Sequence, residues 1–152
     1  MMAAAADIVI RPIRREDHAA WMPLWRGYQE FYKVDIAQEV SATTLARLLD
    51  PAEPVNGALA WQGTRAVGMV HYIQHRSTWT IGNYCYLQDL FTAPDLRGGG
   101  VGRKLIEHVY DVAKQAGCAR VYWLTHESNE TAMKLYDRIA DKPGFVQYRR
   151  VL

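Results

Sequence analysis

The sequence predicts an α/β domain whose N-terminal half is largely antiparallel. Three observations lead there. Short runs rich in β-branched and aromatic residues alternate with stretches whose apolar residues recur at spacings of three and four. Two of the runs, 57–62 and 66–74, flank Gly63-Thr64-Arg65, a hairpin signal. Four glycines within residues 98–102 stand between a strand-like run and the cleanest helical stripe in the chain.

The elements follow in order. Ile8 to Ile13 is β-branched and alternates weakly, so it reads as a first strand. Residues 14–32 carry Trp21, Leu24, Trp25, Tyr28 and Tyr32 on one helical face, and Pro23 among them predicts a kink or a break. Ser41 or Thr43 is a candidate cap for a second helix with Leu45, Leu48 and Leu49, which Asp50-Pro51-Ala52-Glu53-Pro54 ends. After the hairpin, 84–92 reads as a strand. Leu105, Val109, Val112, Ala113 and Ala116 make 101–116 a helix, closed by Gly117. Residues 120–125 read as a strand, 129–139 as a short helix and 144–151 as a last strand. The order is β-α-α-β-β-β-α-β-α-β in one domain spanning 1–152, with residues 1–6 expected to fray.

A chain of 152 residues suits one domain. At 49% hydrophobic and 22% charged residues it is globular rather than disordered. A net charge of +2 leaves no electrostatic footprint for a nucleic-acid partner. No run approaches the ~20 apolar residues of a membrane span, and no basic lead precedes the N-terminal alanines as in a signal peptide. Cys85 and Cys118 make neither a disulfide framework nor metal-site spacing, so no metal is expected and a reduced, cytoplasmic chain is.

Arg97-Gly98-Gly99-Gly100-Val101-Gly102-Arg103 sits where a strand passes into a helix. The first amides of a helix lack intrahelical partners and carry positive partial charge. Glycines let a phosphate approach those amides closely. Arg97 and Arg103 add charge suited to phosphate oxygens. The ATPase phosphate loop does not fit, because Arg103-Lys104-Leu105 follows Gly102 instead of Lys-Ser/Thr. The dinucleotide fingerprint does not fit either, because Leu105 stands where its third glycine belongs. A tight turn alone needs fewer glycines, so the segment reads as a diphosphate cradle.

With Arg97-Gly98-Gly99-Gly100-Val101-Gly102, the sequence resembles the GCN5-related N-acetyltransferase (GNAT) superfamily, whose cofactor motif is Arg/Gln-x-x-Gly-x-Gly/Ala. A second family motif, an Asn leading a helix with an inward Tyr, has its counterpart in Asn129 to Tyr136, and Gly144-Phe145 matches the family's last strand. The resemblance covers nearly the whole chain. It implies a GNAT fold: one mixed, mostly antiparallel sheet of six to seven strands, about four helices, and a splay between strands 4 and 5. Tyr86-Leu87-Gln88-Asp89-Leu90-Phe91 and the aromatic first helix look like the diamine and Hpa-type branch. There the strand usually reads Leu-Glu-Asp-Phe-Phe, so Gln88 replaces a glutamate that meets the substrate amine.

The implied activity is transfer of the acetyl group of acetyl-CoA to a primary amine, on a small molecule, a polyamine-like compound or a lysine side chain. Such transfer requires a neutral amine, donors for the carbonyl oxygen and a proton for the leaving thiolate. By resemblance, Leu90, Phe91 and Thr92 line the pantetheine arm with Asn129, and a backbone amide near Leu90 or Phe91 polarises the thioester. Residues 97–103, namely Arg97, Gly98, Gly99, Gly100, Val101, Gly102 and Arg103, hold the diphosphate, and Tyr136 is the acid. A phenol with a pKa near ~10 stays protonated at neutral pH. From periodicity alone, Tyr136 reads as a core aromatic on the face of Asn129, Ala132 and Met133.

Tyr28, Gln88 and Asp89 are the candidate acceptor-binding residues. The base stays open: Gln88 cannot take a proton, alternation turns Asp89 to the opposite face unless a bulge intervenes, and His126 and Glu127 follow the fifth strand. A small neutral fraction of amine can also suffice. Cys85 reads as packing, so direct attack by the amine is expected. The surplus aromatics of the first helix line either an acceptor pocket or a dimer contact. A homodimer is common in the family. The alternative on the same fold is a non-catalytic acyl-CoA sensor.

Overall fold

The structure, a computed structural model, describes residues 7–152. The fraying expected of residues 1–6 lies outside them. Five strands form one sheet in sequence order: β1 (Ile8–Pro12), β2 (Val55–Gln62), β3 (Arg65–His75), β4 (Tyr84–Thr92) and β5 (Arg120–Tyr122). The first four are antiparallel neighbours, and β5 runs parallel to β4. Four helices flank the sheet: α1 (His18–Tyr32), α2 (Gln38–Leu49), α3 (Val101–Gln115) and α4 (Glu130–Ile139).

The hairpin forms as its turn chemistry demands, with Gly63 at φ +60°. Helix α1 continues through Pro23 without the predicted break. Lys33 ends it in the left-handed conformation, its amide reaching back to the α1 carbonyls. Helix α2 starts at Gln38, so neither Ser41 nor Thr43 caps it. Ser41 is instead buried and accepts a hydrogen bond from the Trp25 indole. Helix α3 ends just before Gly117, which has φ +76°.

Two cores lie on opposite sides of the sheet. On one, Val101, Leu105, Ile106, Val109 and Ala113 of α3 pack on Val67, Val70, Cys85 and Leu87. On the other, Trp21, Leu24 and Trp25 of α1 and Leu48 of α2 pack on Leu59, Met69 and Phe91. Helix α1 comes so near β4 that a Cβ on Gly27 would meet the Phe91 ring at 2.7 Å.

The resemblance implied six to seven strands; the described residues form five. Residues 144–151 have strand-like composition but no strand, and Phe145, Val146 and Tyr148 are exposed. A strand exists only through ladder hydrogen bonds to a neighbour. β5 pairs over three residues rather than the predicted six, and the final segment joins no edge.

Candidate active site

β4 organises the site. Its register with β3 shifts between His71↔Asp89 and Tyr72↔Leu87, so Gln88 is the extra residue of a bulge. The bulge exchanges the faces of the strand. Cys85 and Leu87 point to the α3 core, yet Phe91, an even number of residues on, points to the α1 core. Gln88 is consequently exposed, and Asp89 is buried under α1.

The β4–β5 ladder covers only Tyr84 to Tyr86 against Arg120 to Tyr122. Beyond it the two strands part, leaving 87–92 paired with β3 alone. Backbone groups of Leu90, Phe91 and Thr92 therefore lie along an open gap. Leu90 packs toward the α3 core, and the Phe91 ring is buried against α1.

Past the gap comes the glycine segment. A short 3-10 turn over Pro94–Leu96 leads into Gly98 at φ +82° and Gly100 at φ +89°. Those left-handed conformations are costly for any residue with a Cβ. Gly100 is the N-cap of α3, and no side chain caps the helix. Val101, Gly102 and Arg103 thus present amides with no intrahelical acceptor. Free amides at a helix start, reached past residues without side chains, have the donor chemistry a phosphate group needs. The arginines are engaged elsewhere: Arg97 lies over the Phe31 and Phe91 rings and donates to the Thr92 carbonyl, and Arg103 pairs with Glu107 at 2.8 Å. Both ion pairs of this region, Arg103–Glu107 and Arg65–Asp95, are about half exposed.

Tyr136, on α4, is partly buried and meets Trp123 edge to face at 5.3 Å. Burial first, and then the neighbouring Tyr32 phenol, raise its pKa above the ordinary phenol value. Asn129 precedes α4, and its side chain donates to Thr125 rather than capping the helix.

An aromatic ladder runs along α1 at helical spacing: Trp21 on Trp25 at 5.7 Å, Trp25 on Tyr28 at 5.4 Å, Tyr28 on Tyr32 at 4.8 Å. It starts at the buried pair His71–Asp89 and ends near Tyr136. The Tyr28 phenol is raised strongly, by burial and then by the Asp89 charge beside it; Tyr32 and Tyr86 also feel Asp89. The structure therefore brings together Tyr28, Asp89 and, through Tyr32, Tyr136. It does not bring in His126 or Glu127, which are exposed; His126 shares its Nδ1 with the Ser128 hydroxyl at 2.6 Å. Cys85 is fully buried and its thiol is pushed up to about 12, so it is a poor nucleophile.

Sequence reasoning missed His71. Its signal was there: a lone imidazole inside the otherwise apolar run Met69-Val70-His71-Tyr72 of a strand buried on both faces. Among the described residues no group of His, Cys, Asp and Glu is arranged to hold a metal, and no helix is long and apolar enough to cross a membrane.

The parted β4–β5 pair lies beside an uncapped, glycine-started helix. The chain belongs to the acetyltransferase (GNAT) family, which it matches over residues 16–140. It is similar to the D-amino-acid N-acetyltransferase HPA3 of Saccharomyces cerevisiae, at 41% identity over 94% of this chain and 90% of that protein. It is 37% identical to the thialysine N-epsilon-acetyltransferase of Sus scrofa over 86% of this chain and 82% of that one. Among solved structures, AAC(6')-Iy in complex with the bisubstrate analogue CoA-S-monomethyl-acetylneamine superposes with a TM-score of 0.83. That match covers 95% of this chain and 98% of that one at 17% identity, a likeness of fold. The chain is an acetyltransferase, an enzyme of the N-acetyltransferase type, in a family that uses acetyl-CoA as cosubstrate.

Proposed function

We propose that this enzyme moves the acetyl group of acetyl-CoA directly to the primary amine of a small, cationic acceptor such as an amino acid. Acetyl-CoA supplies the activated acetyl group. Val101, Gly102 and Arg103 would hold its diphosphate on their free amides, with Gly98, Gly99 and Gly100 shaping the approach. Leu90, Phe91, Thr92 and Asn129 would flank the pantetheine arm in the β4–β5 gap. Arg97 and Arg103 would reach the phosphates by leaving their present partners, both exposed contacts of small worth. Tyr136 would protonate the leaving sulfur. Tyr28, Gln88 and Asp89 would receive the acceptor.

The observation that carries the acceptor class is Asp89: a buried carboxylate among phenols, with no lysine or arginine paired to it among the described residues. A buried anion without a cation is costly, and an ammonium group offsets that cost. Tyrosine faces suit the same ligand. The names of the relatives, a D-amino-acid and a thialysine acetyltransferase, point the same way. Part of the same reading is a cytoplasmic homodimer, for which the exposed Phe31, Phe145 and Tyr148 offer apolar surface.

The test is thiol release from acetyl-CoA with D-amino acids, thialysine, polyamines and a lysine peptide. Turnover is expected with the small amines. Tight acetyl-CoA binding without turnover on any amine would favour the sensor instead. Tyr136→Phe should lower kcat about 10²-fold or more, the usual worth of a general acid, and leave acetyl-CoA affinity unchanged. Equal loss of both would make Tyr136 structural.

A further inference from the structure

Trp21 on α1, His71 on β3 and Asp89 on β4 are joined in one buried chain. The Trp21 indole N–H meets His71 Nε2 at 2.9 Å, and His71 Nδ1 meets Asp89 Oδ2 at 2.9 Å. Their exposures are 0%, 2% and 7%. The protonation of this chain follows from its chemistry. An indole nitrogen only donates, so His71 Nε2 must be the acceptor and carries no proton. The ring is neutral, and its one N–H sits on Nδ1, donating to Asp89. The carboxylate thus receives a hydrogen bond from a neutral donor, which fixes its orientation. Protonating His71 would set two N–H groups against each other at Trp21.

The groups facing this chain are few. Tyr28 and Tyr32 face it from α1 and Tyr86 from β4. β2 brings Gly57 against the His71 ring, and α2 brings Ser41, bonded to Trp25. None supplies a positive charge. The bulge at Gln88 turns Asp89 into this setting, and it also puts Gln88, which cannot accept a proton, outside.

Resting on the acetyltransferase reading above, we propose that Trp21 and His71 are positioning residues that hold and orient the Asp89 carboxylate, and that Asp89 takes the proton from the acceptor's ammonium group. One ammonium N–H bond breaks and an O–H bond forms on Asp89. The freed lone pair forms the N–C bond to the acetyl carbon while the C–S bond breaks. The sulfur takes the Tyr136 phenol proton, and the resulting phenolate recovers a proton from the acylated nitrogen. Asp89 returns its proton to solvent, so the cycle releases one proton overall.

The test combines a direct look at the imidazole with rates. In histidine-¹⁵N-labelled wild type, His71 should show a single tautomer with its proton on Nδ1 and none on Nε2. Trp21→Phe keeps the bulk but frees Nε2. The imidazole should then lose its single tautomer, and kcat/KM for the amine should fall while acetyl-CoA affinity holds. Asp89→Asn should lower kcat/KM about 10²- to 10⁴-fold, with acetyl-CoA affinity and melting behaviour retained. A wild-type His71 protonated on Nε2 overturns the proposal without any variant having to fold. So does Asp89→Asn that acetylates amines with the wild-type pH profile, and this result leaves the acetyltransferase reading intact. Wild type that binds acetyl-CoA but acetylates no amine removes both.

Discussion

On the α3 side the sheet buries Val67, Val70, Leu105, Ile106 and Val109, with Tyr72 and Cys85 the nearest approach to polarity. On the α1 side it buries His71, Asp89, Ser41 and Gln29 beside Trp21 and Trp25. The first arrangement is dense, apolar packing whose product is position: it fixes the start of α3 so that its free amides stand beside the β4–β5 gap. The second is a polar network in which His71 joins Trp21 to Asp89, Ser41 meets Trp25, and Gln29 ties the Trp25 carbonyl to the Ile36 amide. Its product is orientation: one carboxylate held in place out of water. On the reading proposed above, one face would serve the cosubstrate and the other the amine.

The contrast can be broken at several points. The largest effect on stability is expected from Leu105→Ala, which empties a fully buried site under α3. It should cost about 2–5 kcal/mol, seen in chemical denaturation, with the acceptor KM little changed in the folded fraction. Gly100→Val forces a β-branched residue to φ +89°. It should cost about 1–3 kcal/mol in strain and weaken acetyl-CoA binding in calorimetry; unaltered affinity would contradict the cradle. Alkaline pH sharpens the comparison from the α1 side. Tyr28, Tyr32, Tyr86 and Tyr136 are all raised, chiefly by burial. Folded phenols then hold their protons at a pH where unfolded ones have lost them. Melting temperature should be flat on this account below about pH 10 and fall above it. Tyr28→Phe should soften that fall. The smallest stability effect belongs to Arg103→Ala, which removes an exposed pair worth about 0.5 kcal/mol at most. If Arg103 also reaches phosphate, acetyl-CoA affinity will drop far more than stability.

Much of this was legible before any coordinates. The α3 stripe and the glycines after β4 are local signals, and local signals survive folding: periodicity fixes which residues share a helix face, and a positive φ demands glycine wherever the chain turns that way. The hairpin around Gly63 is of the same kind. Asp89 was not legible in this sense. Plain alternation along β4 set its face relative to Gln88 but gave no sign of the single inserted residue that decides which core receives it. The Trp21–His71 bond joins residues 50 positions apart, and nothing near either one announces the other. The last strand failed for the opposite reason. Residues 144–151 have the composition, but composition cannot provide a neighbouring edge.

The sequence by itself determined the helices, the first four strands and the glycine-started entry to α3, because those follow from side-chain spacing and backbone freedom within short stretches. Only the tertiary structure decided that Asp89 is buried, which tautomer His71 holds and which tyrosines gather around them. Those facts depend on contacts between distant segments, and on a one-residue change of register that turns the end of β4 over.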